Sequence, residues 1–435
     1  MSKPVRIFLV AALAIVAAFE LQAQEKLAYM LPTLYGPTGL IVDSEARLPT
    51  GETHSAHFNS SFQQSFGPFN SALATQLAAV PLPAPASGFT YTYDAALGVF
   101  NRSTSSYGPI LSERAETLGK NRASVSFNYQ RFSFDRMEGL SLDSIPAVFT
   151  HDNPVAGTGR DDVVTTSNSI GITLAQFTTF FNYGVSDRVD VAIAVPIVSV
   201  DLNISSVATI QRIGTTNGAV HFFFKPTNDT FGDTQTFTKS GTASGVGDIL
   251  LRLKMRAIKK PSFGVSLGID GRAPTGDEQD MLGSGAPGLK PFLIVSSSHK
   301  VFSPHLKLAY QWNGKSLLAG DILAARKADL ADQAVIEAGA DIGLGKKLTL
   351  AMDFLGQRVI DGERLSADTF RALNGRSTFP TVRLFQGSYN VADASVGLKA
   401  NPGSNLLINL NLVFKLNDNG LRDRVTPLFG IEYSF

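Results

Sequence analysis

Residues 264–268 read Gly-Val-Ser-Leu-Gly, the spacing that in α/β-hydrolases lifts a nucleophilic serine onto a sharp turn from strand to helix. The flanking residues do not supply that turn. Phe263, Val265, Leu267 and Ile269 alternate with Gly264, Ser266, Gly268 and Asp270, so Ser266 falls inside a strand and both glycines share its face. The motif marks a patch of small side chains, and no catalytic residue is assigned.

Gly283, Gly285 and Gly288 have the Gly-x-Gly-x-x-Gly spacing of a dinucleotide fingerprint. That fingerprint must follow a strand and open a helix, whereas here acidic residues precede it and a strand pattern follows. Asp277, Glu278 and Asp280, or Asp161 and Asp162, could hold a divalent cation, but their spacing is not that of an ordered calcium loop. Of the six histidines only His54 and His57 stand close in sequence. No metal site and no cofactor are expected.

The elements around these motifs are strands. Ile249, Leu251, Leu253, Met255 and Ala257 share one parity, and Arg252, Lys254 and Arg256 the other. Such period-two segments recur near 122–134, 168–183, 188–204, 247–257, 263–272, 289–299, 304–312, 332–343, 347–358, 387–400, 405–416 and 424–435. Their connections alternate between short turns and longer polar loops, at 205–246, 273–288, 313–331 and 359–386. The last stretch places Val425, Pro427, Phe429, Ile431, Tyr433 and Phe435 on one face, so an apolar ring ends the chain.

At the other end, Lys3 and Arg6 precede an apolar run from Ile7 to Phe19 and a small-residue site near Ala23. This reads as a secretory signal peptide over 1–23, since thirteen apolar residues fall short of the ~20 needed to span a bilayer as a helix. Removing Lys3, Arg6 and Glu20 from 38 basic and 37 acidic side chains leaves a neutral mature chain, which argues against a nucleic-acid partner. There is no cysteine, so a disulfide-stapled scaffold is excluded. Charged residues make up 17%, below the usual ~25% of a soluble domain.

Export, an even number of long strands, and short turns opposite long loops together predict an all-β fold: a transmembrane antiparallel β-barrel of twelve strands in the bacterial outer membrane. Fourteen strands would require residues 24–121 to add a pair. The preferred reading makes 24–121 a hatch or plug segment, with the barrel over 122–435. A soluble double sheet would also alternate, but it does not predict the loop asymmetry, and closure removes exposed edges. The candidate lumen lining is Arg252, Lys254, Arg256, Asp270, Glu337, Asp341, Asp353 and Glu432. Either these charges tie a hatch to the wall or they select cargo. Phe222, Phe223, Phe224 and Phe231 form a candidate apolar entry site in an outer loop, the alternative being that they pack within the loop.

Residues 109–135, 245–257 and 271–293 resemble outer-membrane proteins of the phenol-degradation MetA-pathway transporter family, relatives of the FadL hydrophobic-compound channels. Tyr433 and Phe435 in the closing Gly-Ile-Glu-Tyr-Ser-Phe resemble the C-terminal signal read by the barrel-assembly machinery. The resemblance implies passive, non-enzymatic uptake of small hydrophobic or aromatic cargo across outer-membrane lipid and lipopolysaccharide. The Asn-Pro-Ala hatch motif of the long-chain fatty acid channel is absent, so fatty acids are not assigned. Other readings are a general water-filled porin and a barrel-embedded lipase. The lipase needs a lipid-facing serine near a histidine, whereas Ser266 and His305 both lie on the polar parity.

Overall fold

The computed structural model describes residues 25–36, 39–43, 58–59, 67–79, 91–94, 99–102, 106–225, 230–260, 262–403 and 405–435. The expected signal peptide lies outside the described residues.

Twelve antiparallel staves run β1 (Ala123–Met137), β2 (Val163–Ser186), β3 (Val189–Gln211), β4 (Thr234–Val246 continued by Ile249–Lys260), β5 (Phe263–Ala273) and β6 (Gly288–Ser297). They continue as β7 (Phe302–Asn313), β8 (Asp332–Leu344), β9 (Leu348–Arg371), β10 (Thr378–Gly403), β11 (Leu406–Lys415) and β12 (Val425–Ser434). Each pairs with the next in sequence, and β12 returns to β1 in the register Leu428↔Gln130 to Ser434↔Ser124. The sheet is therefore closed, and its backbone groups find partners within the ring.

Side-chain parity follows the sequence pattern. Along β12, Phe429, Ile431 and Tyr433 are exposed, as is Phe435 just beyond it, while Thr426, Leu428, Glu432 and Ser434 are buried. Leu251, Leu253 and Met255 on β4, and Leu410, Leu412 and Phe414 on β11, also point outward. An exposed apolar surface on every side of a closed barrel is stable only against hydrocarbon. Tyr433 and Phe435 meet edge to face at 4.9 Å beside the terminal turn, where the Phe435 amide donates to the Ala123 carbonyl. Tyr310 and Trp312 pair at 5.0 Å toward the loop end.

Strand lengths differ from expectation. β2, β3, β9 and β10 have 24, 23, 24 and 26 residues, far more than the ~10 that cross a membrane. The expected loops 205–246 and 359–386 are largely strand. Thr234 to Val246 pairs with β3, and Gly362 to Arg371 with Thr378 to Gly387. These extensions project past the loop end, where water meets the outer face and the inner face sets only scattered apolar residues such as Phe237, Ala243, Leu365 and Leu384 on the core, so apolar alternation does not betray them. Inside that end, Leu27, Leu31, Leu34 and Leu73 pack against Phe132, Ile170, Leu202 and Leu318 in the main apolar cluster.

Candidate functional site

Residues 106–118 are buried, and with Gly119 and Lys120 they run across the lumen at the turn end. Several strands tether the segment through inward-facing polar residues. Arg252 gives Nε and one terminal nitrogen to Asp270 at 2.6 and 2.7 Å, and its other terminal nitrogen to Glu113 at 2.7 Å. Lys254 reaches Glu113 at 2.8 Å and the Glu116 carbonyl at 2.8 Å. Burial works against the Glu113 carboxylate, yet Lys254 and Arg252 outweigh it and hold its pKa down to about 2.

On the opposite wall Arg114 donates from Nε to Asp341 at 2.9 Å, and its terminal nitrogen also meets Asp341. Ser112 donates to Asp353 at 2.5 Å, and His305 Nε2 lies 2.9 Å from the same carboxylate. Lys399 donates to the Pro109 carbonyl at 2.7 Å, and buried Glu432 supplies it with negative charge. Glu337 pairs with Lys307 at 3.1 Å, and Arg256 stands in the field of Glu116 and Arg188.

The Gly-x-Ser-x-Gly stretch serves this packing. Ser266 donates to the Ala115 carbonyl at 2.5 Å. A Cβ on Gly264 would stand 3.1 Å from that of Ala115, and one on Gly268 would enter the Phe292 ring at 2.2 Å. Both glycines leave room that a side chain would take.

Above the segment lies a chamber of about 70 Å3, open in part to solvent. Leu111 lines it from the buried segment and Gln76 and Ala79 from α2 (Gly67–Ala79) at the other end. Arg272 and Gln311 hold the helix end through the Ala78 carbonyl at 2.9 and 3.1 Å. One wall carries Arg252, Lys290 and Lys307, and another Phe132, Phe134 and Leu355.

Phe222 and Phe223 are buried, at 6% and 2% exposure, and Phe223 meets Phe237 at 6.3 Å. They fill the loop-end core and offer no open entry face. Phe224 and Phe231 are backbone partners in the same loop hairpin. An outer groove instead lies between α2, Ala319–Ala324 and the β9–β10 extension, lined by Ile322, Leu323, Leu384 and Phe385. Scattered apolar residues in polar loops gave no signal of it.

Residues 152–353 match the family described as "Putative MetA-pathway of phenol degradation".

The match bears out the resemblance read from the sequence. It carries most of the charged wall, from Arg252 to Asp353, and stops short of the residues that the wall holds at 109–116. No curated protein matches the chain. Among solved structures, the crystal structure of the COG4313 outer membrane channel from Pseudomonas putida F1 is 10% identical, covering 74% of this chain and 99% of that chain at a TM-score of 0.43. The KdgM porin is 8% identical over 72% of this chain and 99% of that one, at 0.33. A Pseudomonas aeruginosa FadL homologue is 10% identical over 81% and 96%, also at 0.33.

The acidic residues of the outer loop are engaged by the chain itself. Lys26, just before α1 (Leu27–Met30), meets Asp277 at 2.8 Å and also Asp280, while Glu278 meets Lys327 at 2.6 Å. Asp162 accepts from the amides of Ile213 and Gly214 at 2.8 and 3.0 Å. Among the described residues no group of three or more His, Cys, Asp or Glu is placed to hold a metal ion.

The Lys26 clamp gives a pH prediction. Its hydrogen bond to Asp277 raises the Lys26 pKa, and Asp277, opposed by burial, is nevertheless lowered by Lys26. A lowered carboxylate contributes its full stability above its unfolded pKa and loses it as pH falls through the lowered folded value, so the clamp weakens progressively below about pH 4. Wild type should exceed Lys26→Met in thermal stability at pH 6, modestly because the pair is partly solvated, and the gap should narrow as pH falls from 4 to 3. A gap of unchanged size at pH 3 would show that the lost contacts are not ionic.

Proposed function

We propose that this outer-membrane barrel passes small hydrophobic or aromatic compounds passively, with residues 106–120 as the gate and the chamber above them as the holding site. The observation that carries the reading is that the charges on the wall are spent on a segment of the chain's own N-terminal region. A lumen built for steady water and ion flow gains nothing from burying Glu113 and Arg114 within it. The chamber joins apolar and hydrogen-bonding surfaces, the usual composition of a small-molecule site. Orientation follows from the short turns and both described ends of the barrel lying on one side, taken as periplasmic.

In this reading residues 1–23 direct export, and Tyr433 and Phe435 engage the assembly machinery. Lipopolysaccharide surrounds the projecting β2–β3–β4 and β9–β10 extensions. The barrel-lipase alternative is disfavoured because the Ser266 hydroxyl proton is committed to a gate carbonyl and His305 to Asp353.

Uptake of phenol, toluene and a long-chain fatty acid by cells with and without the gene tests the proposal. The gene should raise entry of at least one of the two aromatics. Uptake of all three that does not depend on the gene would sink it.

A further inference from the structure

We infer that this gate opens most readily to a compact amphiphilic monocarboxylate, whose carboxylate replaces Glu113 on Arg252, while neutral aromatics pass only at the gate's basal rate of opening. The inference rests on the reading of residues 106–120 as the gate and adds what turns it.

Arg252 is shared. Asp270, on the neighbouring strand, occupies two of its nitrogens, and Glu113 occupies the third. Asp270 cannot leave without breaking the wall, whereas Glu113 belongs to the segment that must move. An anion arriving from the chamber side therefore competes for the one bond whose loss frees the segment. Arg252 lines that chamber, and so does Leu111, two residues from Glu113.

The chamber supplies a landing place for such an anion. Lys290 lies beside Arg252 with its ammonium 3.7 Å from Asp270, whose two oxygens already accept from Arg252. Among the described residues no closer carboxylate serves it. Lys307 and Arg252 both stand over the Phe292 ring, at 5.4 and 5.1 Å. Across the chamber Phe132, Phe134, Leu355 and Val413 offer an apolar wall. With Glu113 withdrawn, Arg252, Lys254, Lys290 and Lys307 face Asp270, Glu337 and Asp190, an excess of one positive charge. A carboxylate restores the lost pairing, whereas a neutral compound of the same shape leaves a buried cation unpaired.

The test uses the absence of native cysteine. Ala115→Cys places one thiol on the buried segment, and its reaction with a membrane-impermeant maleimide is timed in proteoliposomes at constant ionic strength. Benzoate should speed labelling about tenfold and benzyl alcohol should not, the mark of a ligand that prefers the open state. Glu113→Gln in the same background should label fast without benzoate and gain little from it. Lys290→Gln, which leaves the Glu113 ties intact, should stay slow and respond weakly to benzoate. Equal acceleration by benzoate and benzyl alcohol, or by neither, would overturn the inference. Uptake of both compounds is followed in the same vesicles: transport with no anion-specific labelling sinks the inference alone, and no transport of either sinks the channel reading as well.

Discussion

Arg114→Ala should release residues 106–120 while leaving the twelve strands closed. Arg114 is 2% exposed and Asp341 fully buried, so the substitution strands a carboxylate without its main partner. Breaking a buried pair by removing one member costs about 3–5 kcal/mol. Tenfold corresponds to about 1.4 kcal/mol, so the open population should rise by two or more powers of ten. The strands should be spared because their ladder bonds do not involve Arg114. Single-channel recording should show a nearly silent wild type and a variant with large, long openings, while gel mobility reports an intact barrel in both. Conductance that stays at the wild-type level would mean that this ion pair does not hold the lumen shut.

Leu410→Arg should destabilise the barrel by about 2–4 kcal/mol, the cost of an arginine on a lipid-facing position near the bilayer midplane. Leu410 is 56% exposed, halfway along β11, and its neighbour Asn411 is buried in the lumen. Equilibrium unfolding from phospholipid vesicles measures the loss, with Leu410→Phe as the control that should change little. An arginine tolerated there at no cost would mean that this face does not meet hydrocarbon.

The barrel was legible because its signal is repeated and local. A strand between lipid and a polar lumen must alternate, and stretches such as Leu406 to Lys415 do so residue by residue. The projecting halves of β4, β9 and β10 were not legible, because in Thr-Gln-Thr-Phe-Thr-Lys only Phe237 is apolar, and one ring packed on the loop-end core is too little to display a face. The charged wall was legible as a row on one parity, but its purpose was not. Arg252, Lys254 and Arg256 announce an unmet need for negative charge, and the sequence offers many acids to meet it. Glu113, Arg114 and Glu116 alternate in sign in a segment with no strand period, the one signal that could have matched them to the wall. Lys290 stands alone among apolar residues and gave no hint. Phe222 and Phe223 looked like an exposed cluster only because a loop's own fold is invisible from composition.

The central claim is that movement of residues 106–120 controls passage, and a reversible lock tests it most directly. In the double variant Ala115→Cys, Gly264→Cys the two Cβ atoms would start 3.1 Å apart, a few tenths of an ångström short of the ~3.5–4.5 Å disulfide range. No native cysteine competes. Uptake of the aromatic cargo should fall to the level of vesicles without protein when the pair is oxidised, and return on reduction. Uptake that continues at the reduced rate with the disulfide closed would contradict the account.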